Sequence, residues 1–167
     1  FKVITDSETA FGRGLRHVVE PYANYTFRSE PTVEPGDIHQ FDAIDAIDRR
    51  NDVVFGARNK LQTRHQDSIR DIIDVDAYTS VRLDPDPGQN SMGPLHVDGD
   101  LLPCDRVWID FDASYDWDES EITNFDTRLR LVGARDTRLH LNYGYRKDDK
   151  NLVAADLDYF PTEDWGF

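Results

Sequence analysis

Hydrophobic and polar residues alternate with a period of two along most of this chain. From Gly14 to Arg28, Leu15, Val19, Ala23, Tyr25 and Phe27 share one parity. Arg16, Glu20, Tyr22, Asn24, Thr26 and Arg28 share the other. Successive side chains of a strand point to opposite faces, so this pattern predicts a strand with one apolar and one polar face. The stretch 52–64 repeats it, with Val53, Phe55, Ala57 and Leu61 against Asp52, Arg58, Lys60 and Gln62. Five more follow, at 69–83, 105–117, 121–133, 137–147 and 151–160. The expected fold is therefore all-β, an antiparallel meander of about seven long strands.

The predicted connections are uneven. Short ones fall at 65–68, 118–120, 134–136 and 148–150, and long loops at 29–51 and 84–104 hold most of the prolines. Both long loops fall on one side of the predicted meander, and the turns at 65–68, 118–120 and 148–150 on the other. Long loops on one side, short turns on the other, and strands of about 9–11 residues or more fit part of a transmembrane outer-membrane β-barrel. Tyr25, Phe27, Tyr115, Trp117, Tyr143, Tyr145 and Tyr159 lie near predicted strand ends, where interfacial aromatic girdles sit. Two alternatives share the pattern. One is a general porin or transporter barrel. The other is a soluble β-sandwich or lipocalin-like binding domain, in which Val75, Phe111 and Leu141 face a buried core.

Composition narrows the classes. The 167 residues carry 33 acidic and 19 basic side chains, a formal charge of −14. Such a chain is a poor platform for nucleic acid, whose phosphates it repels. No apolar run approaches the roughly 18 residues of a spanning helix. Seven Tyr, nine Phe and three Trp argue against disorder. The chain begins at Phe1 and not Met, so it is expected to be processed or excised from a longer protein.

Candidate chemistry is sparse. Cys104 is the one cysteine, and His17 and His140 lack metal-ligand spacing. Residues 84–90 resemble the start of a calcium loop, with Asp98 and Asp100 nearby, but Leu95 stands where a bidentate Glu belongs. Asp42, Asp45 and Asp48 have no partner at nucleophile or general-acid spacing, and no G-x-S-x-G elbow occurs. The expectation is a non-enzymatic protein without cofactor or metal. Arg70, Arg106, Asp110, Asp112, Asp126, Arg128, Arg130 and Arg138 are the candidate lumen-facing charges. Arg128 and Arg130 are expected near Asp110 and Asp112 on the neighbouring strand, and Pro21 is expected to mark a bulge or weak pairing.

Several segments carry more than a pattern. The first is Arg16-His17-Val18-Val19-Glu20-Pro21-Tyr22-Ala23-Asn24-Tyr25. Phe41-Asp42 follows in a loop, then Asp48-Arg49-Arg50-Asn51 leading into Gly56-Ala57-Arg58. Last come Phe125-Asp126-Thr127-Arg128-Leu129-Arg130 and the strand ending Asn142-Tyr143-Gly144-Tyr145-Arg146. In order and spacing over about residues 12–160, this set resembles the lipopolysaccharide-assembly outer-membrane proteins (LptD, the organic solvent tolerance family). The motif residues are Arg16, His17, Glu20, Pro21, Tyr25, Phe41, Asp42, Asp48, Arg49, Asn51, Gly56, Arg58, Asn142, Tyr143, Tyr145 and Arg146. The resemblance implies a segment of the carboxy-terminal barrel, placed in the outer membrane of a Gram-negative bacterium. It implies lipopolysaccharide as cargo, and a plug lipoprotein and periplasmic bridge proteins as partners. The cysteines of the family's disulfides do not map onto Cys104.

Overall fold

The computed structural model describes residues 2–9, 12–30, 49–65, 68–134, 137–149 and 151–159. These form one antiparallel sheet of nine strands in sequential order, with no helix. The strands are β1 (Lys2–Thr9), β2 (Gly12–Arg28), β3 (Arg50–His65), β4 (Ser68–Arg82), β5 (Leu95–Cys104), β6 (Val107–Asp116), β7 (Glu121–Val132), β8 (Arg138–Arg146) and β9 (Leu152–Asp158). The sheet is not closed: β1 pairs only with β2, and β9 only with β8.

The seven expected strands are present, and two were not foreseen. β1 precedes them, and β5 occupies the second half of the expected loop 84–104, which shrinks to 83–94. Leu95, Val97, Gly99 and Leu101 do alternate with His96, Asp98, Asp100 and Leu102, but Pro94, Gly99 and Pro103 make the segment read as loop. The extra strand reverses the direction of everything after it. The 117–120 and 147–151 turns therefore lie at the same end as 29–49 and 83–94. Connections 10–11, 66–67, 105–106 and 133–137 lie at the other. The asymmetry between a long-loop end and a tight-turn end is kept, with different members.

Pro21 causes no bulge. The β2–β3 register runs unbroken from Leu15↔Thr63 to Arg28↔Arg50, with Pro21 opposite Ala57. β1 reaches only as far as Val18, so beyond it β2 has an open edge on that side, where a missing N–H is tolerated. Irregularities gather instead toward the tight-turn end. Gly14, at φ 69°, lies in the shift between Arg13 and Leu15, and the buried Thr63 hydroxyl donates to its carbonyl at 3.1 Å. A second bulge inserts Ile72 between Asp71, opposite Gln62, and Ile73, opposite Leu61.

The register sorts the side chains into two faces. Ile73, Val75, Ala77, Ile109, Phe111, Leu129, Leu141 and Tyr143 lie on one, and nearly all the strand charges on the other. No second layer covers the apolar face among the described residues. Ile72, at 4% exposure, is their one buried large hydrophobic side chain, whereas Phe55, Leu141, Val153 and Leu157 are exposed. Val75, Phe111 and Leu141 thus do not meet across a core, as a sandwich requires.

Candidate functional site

The polar face is built from cross-strand rows. One row runs Lys60, Asp74, Asp100, Asp110, Arg128 and Asn142 from β3 to β8. The next runs Glu20, Arg58, Asp76, Asp98, Asp112 and Asp126 from β2 to β7. Both are acidic in the middle; the first carries Lys60 and Arg128 on its flanks, and the second carries Arg58 on one side while Arg146 reaches Asp126 from outside the row. Lys60 meets Asp74 at 2.7 Å, Arg58 meets Asp76 at 3.3 Å, Arg128 meets Asp110 at 2.8 Å, and Arg146 meets Asp126 at 2.6 Å. Asp100 accepts a hydrogen bond from Trp108 Nε1 at 2.9 Å, and Asp112 accepts one from Asn124 at 2.9 Å. Asp98 faces Asp76 and Asp112 directly. Like charges in opposed positions cost stability. Water lowers that cost here, because these rows line an open hollow of about 620 Å³ that stretches from Glu20 on β2 to Arg128 on β7.

Above these rows lies a third: Tyr22, Gly56, Tyr78, His96, Ser114 and Asn124. The Tyr22 ring crosses β3 over Gly56, where an added Cβ would come within 2.3 Å of Tyr22 Cζ. Its hydroxyl donates to the Asp76 carboxylate at 3.1 Å, and the Arg58 guanidinium stands 5.3 Å from the ring centre. Gly56→Ala is expected to displace the ring and cost about 1–2 kcal/mol, the worth of a partly exposed bond to a carboxylate plus a cation–π contact. In a Tyr22→Ala background the same change is expected to be neutral or slightly stabilising, because glycine is a poor strand residue. Urea titration of the four proteins checks this sign reversal. His96 stacks on Tyr78 at 5.1 Å and bonds the Ser114 hydroxyl through Nδ1 at 2.8 Å. Ser114 is buried, so this pair lacks the access a nucleophile needs.

The motif residues scatter over the sheet. Glu20 and Arg58 are direct cross-strand neighbours, and the Tyr25 hydroxyl donates to Asn51 Oδ1 at 3.2 Å. Arg49 ties the end of the first long loop to Asp84 at 2.7 Å and Asp86 at 3.3 Å. Arg16 lies opposite Gln62, and His17 is on the apolar side opposite Leu61. Tyr143 and Tyr145 are on the apolar face, and Asn142 is on the polar face. Phe41, Asp42, Asp45 and Asp48 lie outside the described residues. No family model matches the sequence, and no curated protein matches it.

Among the candidate lumen charges, Asp110, Asp112, Asp126, Arg128, Arg130 and Arg138 are on the polar face. Arg70 is not. The Ile72 bulge turns it to the apolar side opposite Thr63, where it bonds Asp105 and, at 3.1 Å, the Leu102 carbonyl. Arg106 sits in the β5–β6 turn, not in a strand. Arg130 does not reach Asp112. It lies opposite Trp108 and stacks 4.2 Å from that ring's centre. Asp98 and Asp100, read as loop oxygens, belong to β5. Among the described residues no three His, Cys, Asp or Glu side chains form a metal-ligand set. Trp108, Tyr22 and Gly56 carry much of this geometry, and only the register reveals that they meet their partners.

At the long-loop end Lys147 bonds both Glu119 and Glu121. These carboxylates raise its ammonium pKa above the ordinary 10.5. A raised value keeps the charge, and its contribution to stability, below the ordinary lysine range and loses it only in stronger alkali. Lys147 is therefore expected to react slowly with an amine acylating reagent at pH 9. Glu119→Gln with Glu121→Gln is expected to restore its reactivity, read by peptide mass spectrometry.

Proposed function

We propose that this chain is a segment of a transmembrane outer-membrane β-barrel, and that the barrel takes part in inserting lipopolysaccharide into the outer leaflet. The barrel reading rests on one observation. A long antiparallel meander presents a continuous apolar face that neither helix nor second sheet covers among the described residues. A water-soluble sheet hides such a face against another layer. Lipid would cover it here, and the charged hollow would line the lumen. The long-loop end then faces outward and the tight turns inward. The lipopolysaccharide reading is carried by the motif segments, of which Glu20 with Arg58 and Tyr25 with Asn51 make local contacts.

In this reading the component does no chemistry. Its lumen shelters the sugar head while acyl chains pass sideways into lipid. A plug lipoprotein and a periplasmic bridge are the proposed partners. Fractionation of cells expressing the full parent protein tests the barrel. Extraction from the outer membrane by detergent, and not by alkaline carbonate, is the expected result, and recovery in the soluble fraction overturns it. Depletion then tests the cargo: newly made lipopolysaccharide should stop reaching the cell surface. Normal delivery, with loss only of passive solute uptake, points to a porin instead.

A further inference from the structure

Exposed guanidiniums on the polar face differ in whether a carboxylate neutralises them among the described residues. Along β7 and β8, Arg128 takes Asp110 and Arg146 takes Asp126, each within 2.8 Å. Arg130 takes no carboxylate within ion-pair distance among the described residues. Its register partners are Trp108 on β6 and His140 on β8. The guanidinium is exposed and lies 4.2 Å from the centre of the Trp108 ring. That ring is itself fixed, since its Nε1 donates to Asp100 at 2.9 Å. Stacking occupies a face of the guanidinium and leaves its in-plane N–H groups available. The His140 imidazole stands directly opposite, with Nε2 3.9 Å from Asp158.

We propose that Arg130 and His140, braced by Trp108, form a binding site for a phosphate group carried on a sugar. The guanidinium fork matches two oxygens of an oxyanion. The imidazole on the adjacent strand, about 5 Å away between Cβ atoms, reaches a third, which a tetrahedral phosphate has and a carboxylate lacks. Asp156, directly opposite His140, and Asn142 two positions along supply partners for sugar hydroxyls. The acidic neighbours Asp100, Asp110, Asp156 and Asp158 keep the affinity low and dependent on salt. The site lies beside the hollow, toward the tight-turn end of the polar face. Under the reading above, on which its choice of ligand rests, a phosphorylated glycolipid headgroup meets it early in transit.

The test is calorimetric titration of the full chain in detergent micelles with glucosamine 1-phosphate, glucosamine and inorganic phosphate. Weak binding of the sugar phosphate is expected, with none of glucosamine. Arg130→Gln should weaken it about tenfold or more, the worth of a charge-assisted pair. Arg130→Lys should not restore it, because an ammonium has neither the fork nor the stack. His140→Gln gives a second, independent loss of about threefold, on the order of one ordinary hydrogen bond. Circular dichroism confirms that each variant keeps its strands. Equal binding by wild type and Arg130→Gln, or of glucosamine and its phosphate, overturns the site. Inorganic phosphate binding as tightly as the sugar phosphate overturns the sugar component and assigns the site to free anion. Phosphate binding by a protein that fractionates as soluble keeps the site and removes the membrane reading. Outer-membrane fractionation without phosphate binding does the reverse.

Discussion

Gly99→Ala should destabilise the sheet by about 2–3 kcal/mol, at the upper end of the cost of overpacking. Gly99 sits in the middle of β5, between Val75 on β4 and Phe111 on β6. A methyl group there would lie 2.7 Å from the Asp74 carbonyl oxygen, 2.8 Å from Val75 Cγ2 and 3.2 Å from Phe111 Cζ. The side chains can swing aside, but the carbonyl belongs to the β4 backbone and cannot move without disturbing the β4–β5 ladder. The missing side chain is filled by its neighbours, an arrangement that lets a sheet bend where a glycine interrupts it. Two controls isolate the cause. Gly133→Ala meets nothing closer than 3.6 Å at a backbone angle open to any residue, and should change stability by no more than about 0.5 kcal/mol. Val75→Ala combined with Gly99→Ala should recover only part of the loss, because the carbonyl contact remains. Urea midpoints measure all four proteins. A Gly99→Ala protein as stable as wild type would mean that β4 and β5 are not held at this separation.

The same glycine explains what the sequence conceals. Period-two alternation located seven strands because their polar and apolar positions differ in kind. In β5 polar and apolar residues alternate from Leu95 to Leu101, but Gly99 gives the apolar parity no side chain at its centre, Pro94 precedes the strand and Pro103 lies near its end. Missing one strand inverted the assignment of every later turn, since strand direction accumulates along a meander. Arg70 shows a second limit. Parity groups it with Asp74 and Asp76, yet the inserted Ile72 moves it to the other face, and nothing in the sequence announces that insertion. Pairwise chemistry was legible where register is regular. Arg128 meets Asp110 as parity and strand order require, while Arg130, two residues on, falls opposite Trp108 and not an aspartate. Whether either face meets lipid is not encoded by alternation at all. It becomes arguable only once the sheet is found without a second layer among the described residues.

Ala57→Arg is expected to decide that question with a cost of about 2–4 kcal/mol. Ala57 lies at the centre of β3 on the apolar face, with Pro21 and Ala77 as its cross-strand neighbours. Its cross-strand neighbours are small and the nearby Phe55 is exposed, so an arginine leaves no cavity and has room beside them. Its cost therefore reports the medium that the face meets. Val53 is four residues nearer the long-loop end, opposite Tyr25. Four residues span about 13 Å of strand. At a tilt of about 40° that is roughly 10 Å of height, close to the edge of an apolar band about 25 Å tall. Val53→Arg should thus cost only about 0–1 kcal/mol, as an interfacial position does. Folding into lipid vesicles under a urea gradient measures both variants against wild type. A lipid-facing sheet gives a steep difference between the two sites, in the direction of depth. A sheet whose apolar face meets water gives two small and similar values, within about 0.5 kcal/mol of wild type. That second outcome would remove the membrane from the account while leaving the register, the hollow and its charge rows in place.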